Sequence, residues 1–321
     1  MTRGHLERHQ VWFYLTALGL GLVLGRVAPG LGPVADGLVW PVLALLLYAT
    51  FTQLPLASVP VALRDTRFLV TALVGNFVLV PVLVWGLVQL APDDPALRVG
   101  LLLVLLVPCT DWFITFTQLG GGDAARATAL TPVTLGPQLV LLPVYLWLFG
   151  GAAVSGVFTP GQVWPALLVL LLPLGLSALT ERWVGHRPGG ARLVQRLGAA
   201  PVPLLALVIL LVGTSHSEEV ARAGDVLPVV VLVAGLYLVG ALVLARLLAS
   251  LAGLPAGQGR TLAFSLGTRN SFIVLPFALT LPSGWETAAL VVVLQSVVEL
   301  LAMIVLVRLV PRVLFPARSP G

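Results

Sequence analysis

Residues 105–123 read Leu-Leu-Val-Pro-Cys-Thr-Asp-Trp-Phe-Ile-Thr-Phe-Thr-Gln-Leu-Gly-Gly-Gly-Asp, which places the chain's only cysteine beside a proline within an apolar stretch. Pro108 lacks a backbone donor and clashes with the preceding helical turn, whereas Thr110 and Asp111 are favourable N-cap residues. The stretch therefore predicts a helix that breaks and begins again. Broken helices inside a membrane commonly form binding sites, so Cys109 is the first candidate for a functional atom.

The composition places the chain in a lipid bilayer. It has 321 residues, of which 58% are hydrophobic and 10% charged, and this leaves too little polar surface for a soluble domain. Apolar runs of about 20 residues, each long enough to cross a ~30 Å hydrocarbon core, recur along the sequence. They predict an all-α polytopic membrane protein with ten transmembrane helices, at 11–28, 38–54, 68–90, 97–119, 131–150, 163–180, 199–215, 226–249, 260–281 and 287–309.

The 18 cations are all arginines, and they stand one or two at a time between apolar runs. The net charge of +5 is therefore a topology signal and does not predict a nucleic-acid partner. A cytoplasmic amino terminus puts most of them on one side, which predicts a multi-pass protein of the cell (inner or plasma) membrane with both termini in the cytoplasm. The arginines on that side are Arg3, Arg8, Arg64, Arg67, Arg126, Arg182, Arg187, Arg192, Arg196, Arg246, Arg260, Arg308, Arg312 and Arg318, against Arg26, Arg98 and Arg222 outside.

Few residues are available for covalent or metal chemistry. One cysteine cannot form an internal disulfide, and four scattered histidines do not supply a structural zinc site. We expect no cofactor. The first apolar run continues to Ala28 without a small-residue cleavage site, so we interpret it as a retained span and not as a signal peptide.

The ten runs divide into five and five between residues 150 and 163, and the longest loop, the basic, glycine-rich segment from Glu181 to Gly198, follows the sixth run. An odd number of spans per half forces the halves into opposite orientations, and in each half the fourth run carries a polar interruption, at 108–111 and at 265–271. This pattern predicts two inverted five-helix repeats, residues 1–160 and 161–321, with two crossed discontinuous helices near the membrane midplane.

Two polar groups of the first interruption have more than one interpretation. Cys109 is either a small buried hydrophobe or, facing a cavity, a soft ligand for a soft metal and by extension for trivalent arsenic or antimony. Asp111 is an N-cap, a proton carrier or an ion-pair partner of Arg269.

The second half supplies a cation and an acid at membrane depth. Arg269 precedes Asn270 and Ser271, which can cap the restarting helix, and a guanidinium beside a helix N-terminus favours an anion or a hydroxylated solute over a sodium ion. Glu299, one turn after Gln295, is a proton carrier or a protonated acid in a structural hydrogen bond.

Three short motifs resemble one transporter family. Pro108-Cys109-Thr110, Arg269-Asn270-Ser271-Phe272 and Glu299 are similar to signatures of the bile acid/sodium symporter superfamily, and within it of the arsenical-resistance (Acr-type arsenite efflux) permeases. The resemblance covers the whole chain, and it implies core and panel subdomains drawn from both repeats that move in an elevator-like or rocking cycle. It also implies that the cysteine handles arsenite and the glutamate couples transport to protons.

The sequence departs from that family at two places. The ninth run has Ile273 where the family has an acid, and Asp111 stands where the family usually has a small residue. An acid is therefore absent from one discontinuous helix and present on the other.

The leading hypothesis is a secondary active transporter that exports arsenite, with antimonite as a second substrate, by proton antiport. Cys109 is its transient metalloid ligand, the substrate also meets Thr110, Arg269, Asn270 and Ser271, and Glu299 with Asp111 carries protons. The alternative is a sodium- or proton-coupled symporter of an organic anion such as a bile acid-like solute. A receptor or intramembrane enzyme is disfavoured, because neither a soluble sensing domain nor a catalytic set is evident. A homo-oligomer is compatible with the sequence.

Overall fold

The computed structural model describes residues 3–53, 64–110, 112–155, 160–184, 197–215, 217 and 223–316. Within these ranges the regular elements are helices, and there is no strand beyond a single isolated bridge. The helices are α1 (Arg3–Val27), α2 (Gly32–Phe51), α3 (Thr66–Val88), α4 (Pro95–Leu106), α5 (Trp112–Leu119), α6 (Ala124–Ser155), α7 (Pro160–Val184), α8 (Pro201–Ser215), α9 (Ala223–Leu251), α10 (Ala256–Gly267), α11 (Ser271–Leu279) and α12 (Glu286–Leu309).

Five helical stretches in the described part of the chain are long and apolar enough to cross a membrane. Their outward-facing side chains include exposed apolar residues such as Val82, Trp147 and Val239, as expected where a helix faces lipid tails. The protein is therefore an all-helical multi-pass membrane protein. The five stretches are Pro29–Phe51, Thr66–Val88, Ala124–Gly151, Val226–Leu251 and Glu286–Leu314, and shorter apolar helices cover Trp12–Val27, Pro95–Leu106 and Pro201–Ser215.

Both predicted interruptions are present. The helix before Pro108 ends at Leu106 and the chain becomes helical again at Trp112, while α10 ends at Gly267 and α11 begins at Ser271. The two breaks are thus confirmed. The predicted N-cap Asp111 and much of the basic loop after the sixth predicted run, 185–196, lie outside the described residues.

The described helices pack in two groups. In the first, α1 lies along α8, α8 also contacts α2, and α2 contacts α7. In the second, α12 contacts α4, α9 and α11, while α9 also packs on α3 and α10. The groups meet where α11 contacts α2 and α7 and where α1 contacts α12, so the second discontinuous helix lies at the boundary between them.

Close packing within the first group depends on two glycines four residues apart on α1. A Cβ placed on Gly21 would overlap the carbonyl group of Leu210, and one placed on Gly25 would overlap the carbonyl oxygen of Thr214. Small residues at this spacing let two helix backbones approach closely in a membrane, where van der Waals packing drives association. These glycines therefore set the distance between α1 and α8.

We expect Gly21→Ala and Gly25→Ala to destabilise the protein by about 1–3 kcal/mol each, because the added methyl group overpacks the α1–α8 contact. Thermal unfolding in detergent measures the effect. Gly19→Ala is the matched control on the same helix, since a Cβ there meets nothing within 4 Å. Equal melting temperatures for the three variants would show that the close contact does not matter.

Candidate functional site

The two breaks cross each other and exchange backbone hydrogen bonds. The N–H of Asn270 donates to the carbonyl oxygen of Val107 at 2.9 Å, and the N–H of Cys109 donates to that of Thr268 at 3.2 Å. Val107 and Thr268 both have extended backbone conformations. Backbone groups freed by a helix break need partners at membrane depth, and here each break supplies them to the other.

Asn270 also joins the breaks through its side chain. Its Oδ1 accepts from the N–H of Ile273 at 3.1 Å, and its Nδ2 donates to Oγ1 of Thr110 at 2.8 Å. The first contact confirms the predicted cap of α11. Next to it, Oγ of Ser271 is buried and has no hydrogen-bond partner among the described residues. A polar cluster from both breaks is therefore assembled at the crossing.

Arg269 is 1% exposed and is held through one of its nitrogens. Its Nη2 lies 2.9 Å from the carbonyl oxygen of Ser265, 2.8 Å from that of Leu266 and 3.0 Å from Oδ1 of Asn76. Its guanidinium carbon lies 5.4 Å from the ring centre of Tyr237. The described residues offer Nε and Nη1 no acceptor, so two nitrogens of the charged group, with three N–H bonds, are left for other partners.

Glu299, also 1% exposed, faces the same break from α12. Its Oε2 accepts from the backbone N–H of Arg269 at 3.0 Å and from Nε2 of Gln295 at 2.8 Å. Its Oε1 has no partner among the described residues. One carboxylate oxygen is therefore fixed while the other is open, and the contact with Arg269 runs through that residue's backbone and not through its guanidinium group.

Cys109 is 6% exposed and takes part in no disulfide. Pro108 and Arg269 form an isolated antiparallel bridge, and successive side chains of extended backbone point to opposite faces. We therefore place the Cys109 thiol and the Arg269 guanidinium on opposite sides of the crossing. That both residues meet one solute stays a prediction, and in this register they would approach it from opposite sides.

An aromatic cluster lies where the first break adjoins the other helix group. The ring of Trp112 stacks on that of Tyr14 from α1, with centroids 6.1 Å apart, and meets that of Phe272 edge-on at 5.2 Å. Together with the burial of the polar cluster, this packing closes the crossing. The aromatic cluster therefore covers the crossing on the side that faces α1.

The sequence reasoning missed three residues of this region. Asn76 lies in a five-residue π-helical turn of α3 and binds Arg269, and Tyr237 packs against Arg269 from α9. Gln138 on α6 is buried, and neither of its amide atoms has a partner in the described part of the chain. None of the three is charged at neutral pH, and for Asn76 and Gln138 a polar amide within an apolar run was a usable signal.

No three or more His, Cys, Asp or Glu side chains lie close enough to hold a metal ion in the part of the chain that the structure describes. Within that part of the chain, no group of carboxylates or imidazoles joins Cys109, so it would act there as a single soft ligand. A single thiolate suits a solute that is bound briefly and then released.

A second polar network joins the beginnings of α3, α6 and α10. Nε of Arg126 donates to Oδ2 of Asp65 at 2.6 Å, a second nitrogen of Arg126 contacts the Asp123 carboxylate, and Gln258 donates to Asp65 at 3.2 Å. A cavity of about 470 Å³ lies beside it, lined by Asp65, Arg126 and the exposed arginines Arg64 and Arg67 among others. This network fixes the ends of helices that carry the crossing.

Stability should fall at low pH through this network. Partial burial raises the pKa of Asp65, but the hydrogen bond from Arg126, the N–H of Phe68 and the charge of Arg126 lower it more, so the pKa lies below its ordinary value. A carboxyl group with a lowered folded-state pKa stabilises the protein above its unfolded-state pKa of about 4, and this contribution is lost as the pH falls further. We expect Asp65→Asn to flatten the fall in melting temperature between neutral and acidic pH. Asp93→Asn, on the exposed pair with Arg98, should leave the fall unchanged.

Two broken helices cross inside this helical membrane protein, and polar groups are buried at the crossing. This is the architecture of a secondary transporter. Residues 40–221, more than half of the chain, match the model of the Sodium Bile acid symporter family, and the protein belongs to that family. The matched range contains Cys109 and ends before Arg269 and Glu299. The chain is also similar to the arsenical-resistance protein Acr3 of Corynebacterium glutamicum, with 22% identity over 297 residues that cover 83% of this chain and 78% of that protein.

Proposed function

We propose that this protein exports arsenite, and antimonite as a chemically similar solute, in exchange for protons. The observation that carries the proposal is the buried crossing of the two breaks, where Cys109 lies beside the hydroxyl and amide groups of Thr110 and Asn270. On α12, Glu299 contributes a buried carboxylate whose Oε1 has no partner among the described residues. The similarity to an arsenical-resistance protein supports the same substrate. Transport and not catalysis is the activity that such a crossing serves.

In the proposed architecture, ten transmembrane helices form two inverted repeats, residues 1–160 and 161–321. The paired helices α4–α5 and α10–α11 would each count as one span. Both termini would lie in the cytoplasm, in keeping with the arginine bias of the loops. The first helix group would act as the panel and the second as the core that moves against it.

Cys109 is the proposed transient ligand of the metalloid. Trivalent arsenic is soft and binds sulfur: an As–S bond forms as one As–O bond of the trihydroxide breaks, and the displaced hydroxyl leaves as water with the thiol proton. Release reverses this exchange, and while the solute is bound, its two remaining oxygens need hydrogen-bond partners in place of water. Thr110, Asn270 and Ser271 supply hydroxyl and amide groups at the same crossing. Among these, Oγ of Ser271 has no partner in the described protein and is available to the solute.

Arg269 contributes a fixed positive charge near this site, and the backbone of the crossing lies between that charge and Cys109. Its charge favours a solute with negative or partly negative oxygens and disfavours a free cation beside it. Because the register places its guanidinium on the far side of the break from Cys109, we assign it to the electrostatics of the site. Direct binding of the arsenite oxygens falls to the cluster around Asn270.

Glu299 is the proposed proton carrier, with Asp111 as a second acid. The open Oε1 of Glu299 accepts the proton, while Oε2 keeps its bonds from the Arg269 backbone and Gln295. Protonation removes the negative charge of Glu299, which lies next to the backbone of the second break, and so makes the net charge at the crossing more positive. That change is how proton entry would drive solute release.

Arsenite tolerance of a host that lacks its own arsenite exporter tests the proposal. Cells that produce the protein should tolerate several-fold more arsenite than cells with an empty vector, and Cys109→Ser should lose most of the gain at equal membrane abundance. No gain over the empty vector would contradict arsenite export. Equal protection by Cys109→Ser would contradict the role of the thiol.

The family match favours one second candidate, a sodium- or proton-coupled uptake symporter for an organic anion. This function predicts accumulation of a labelled bile acid-like anion in vesicles under an imposed sodium or proton gradient. Arsenite export without any response to sodium, and without accumulation of the anion, would remove it.

A further inference from the structure

The oxygens around Arg269 form a small cage. Three of them, the carbonyl oxygens of Ser265 and Leu266 and Oδ1 of Asn76, lie 2.8–3.0 Å from the single nitrogen Nη2. This nitrogen carries only two protons, so three acceptors surround a donor that can make two linear hydrogen bonds. One of its protons is therefore shared between two acceptors, and the nitrogen is surrounded by three oxygens as a small cation would be.

The cage oxygens come from α10 and α3, and contacts other than those with Arg269 also hold them in place. Ser265 and Leu266 belong to the last turn of α10, where the helix dipole is negative. The amide nitrogen of Asn76 donates to Ala72 and to Oγ of Ser265, which directs Oδ1 towards the cage. The hydroxyl of Tyr237 donates to the Leu266 carbonyl and helps to fix that oxygen too.

Arg269 uses little of its guanidinium geometry. Nε and Nη1 have no acceptor among the described residues, so the planar fork that distinguishes arginine from lysine is not used in binding the cage. What the cage contacts is one positively charged nitrogen at the end of a flexible chain. The carbonyl ends of broken helices are where transporters coordinate monovalent cations.

We propose that Arg269 is a tethered cation, whose Nη2 permanently occupies a monovalent-cation site formed by the Ser265 and Leu266 carbonyls and Asn76. Removal of the side chain leaves three buried oxygens that a free cation of suitable size can bind. The binding claim rests on this geometry alone. Its consequence, a transport cycle that needs no free cation at this place, rests on the proposed function.

Thermal unfolding of purified Arg269→Ala in detergent tests the cage. Wild type should melt at the same temperature in guanidinium, sodium or tetramethylammonium chloride at equal millimolar concentration. Arg269→Ala should melt several degrees lower, and guanidinium or sodium should restore part of the loss while the larger tetramethylammonium should not. Arg308→Ala, at an exposed position on α12, should show no selective rescue. A loss in Arg269→Ala that neither small cation reverses would overturn the proposal.

A second pair of variants keeps the test decisive if Arg269→Ala does not fold. Arg269→Lys places an ammonium nitrogen near the cage and should keep most of the wild-type melting temperature, whereas the neutral Arg269→Gln should not. Equal losses in the two variants would overturn the tethered cation. No arsenite enters these measurements, so a chain that fails to export arsenite could still show the cage, and an exporter could still lack it.

Discussion

Replacement of Glu299 by glutamine is expected to reduce proton-coupled export on the order of 100-fold, the loss typical for removal of a positioned proton-transfer group. Glutamine can keep the hydrogen bonds that Oε2 accepts from the Arg269 backbone and Gln295. It cannot take up a proton at the position of Oε1. The fold should therefore persist while coupling is lost.

Two measurements separate these effects. Export from loaded cells or vesicles, followed at several external pH values, should be lost and insensitive to pH in Glu299→Gln, and its melting temperature should stay within a few degrees of wild type. Glu286→Gln is the matched control, because Glu286 opens the same helix and bonds to the backbone of Gly284 on the surface. Unchanged export by Glu299→Gln would exclude Glu299 as the proton carrier.

Asn270→Ala should destabilise the protein by about 2–4 kcal/mol, combining a lost helix cap with a buried hydroxyl left without its donor. The side chain that is removed caps α11 at Ile273 and bonds to Thr110 in the first break. Both effects act at the crossing, so substrate affinity should fall together with stability. Unfolding in detergent and export at several arsenite concentrations measure the two losses.

Two further variants divide this loss between its causes. Asn270→Asp should keep the cap of α11, because a carboxylate accepts the Ile273 N–H as well as an amide does. Thr110→Val removes the cross-break hydrogen bond alone. If Asn270→Ala and Thr110→Val add without coupling in a double-mutant cycle, the Asn270–Thr110 contact does not stabilise the crossing.

The breaks were predictable from the sequence because their causes are local. Pro108 ends one helix, and Asn270 begins another by capping it, and both signals act within a few residues. The helical class and the membrane location follow equally from the apolar runs. The role of Asp111 stays a prediction, since that residue lies outside the described part of the chain.

The contacts at the crossing were not predictable from the sequence, because they join residues far apart in the chain. Thr110 and Asn270 are separated by 160 positions and Asn76 and Arg269 by 193. No local rule sets the register of the crossing. The side on which each side chain emerges depends on which backbone groups of the two breaks pair, so the sequence alone does not say which side chains share one side of the crossing.

The most direct test of the account is uptake of arsenite into inside-out membrane vesicles under an imposed proton gradient, acidic inside. Wild-type vesicles should accumulate arsenite, a protonophore should abolish the accumulation, and Cys109→Ser vesicles with the same amount of protein should accumulate little. Accumulation that ignores the proton gradient, or that Cys109→Ser vesicles match, would contradict proton-coupled export of arsenite through the crossing.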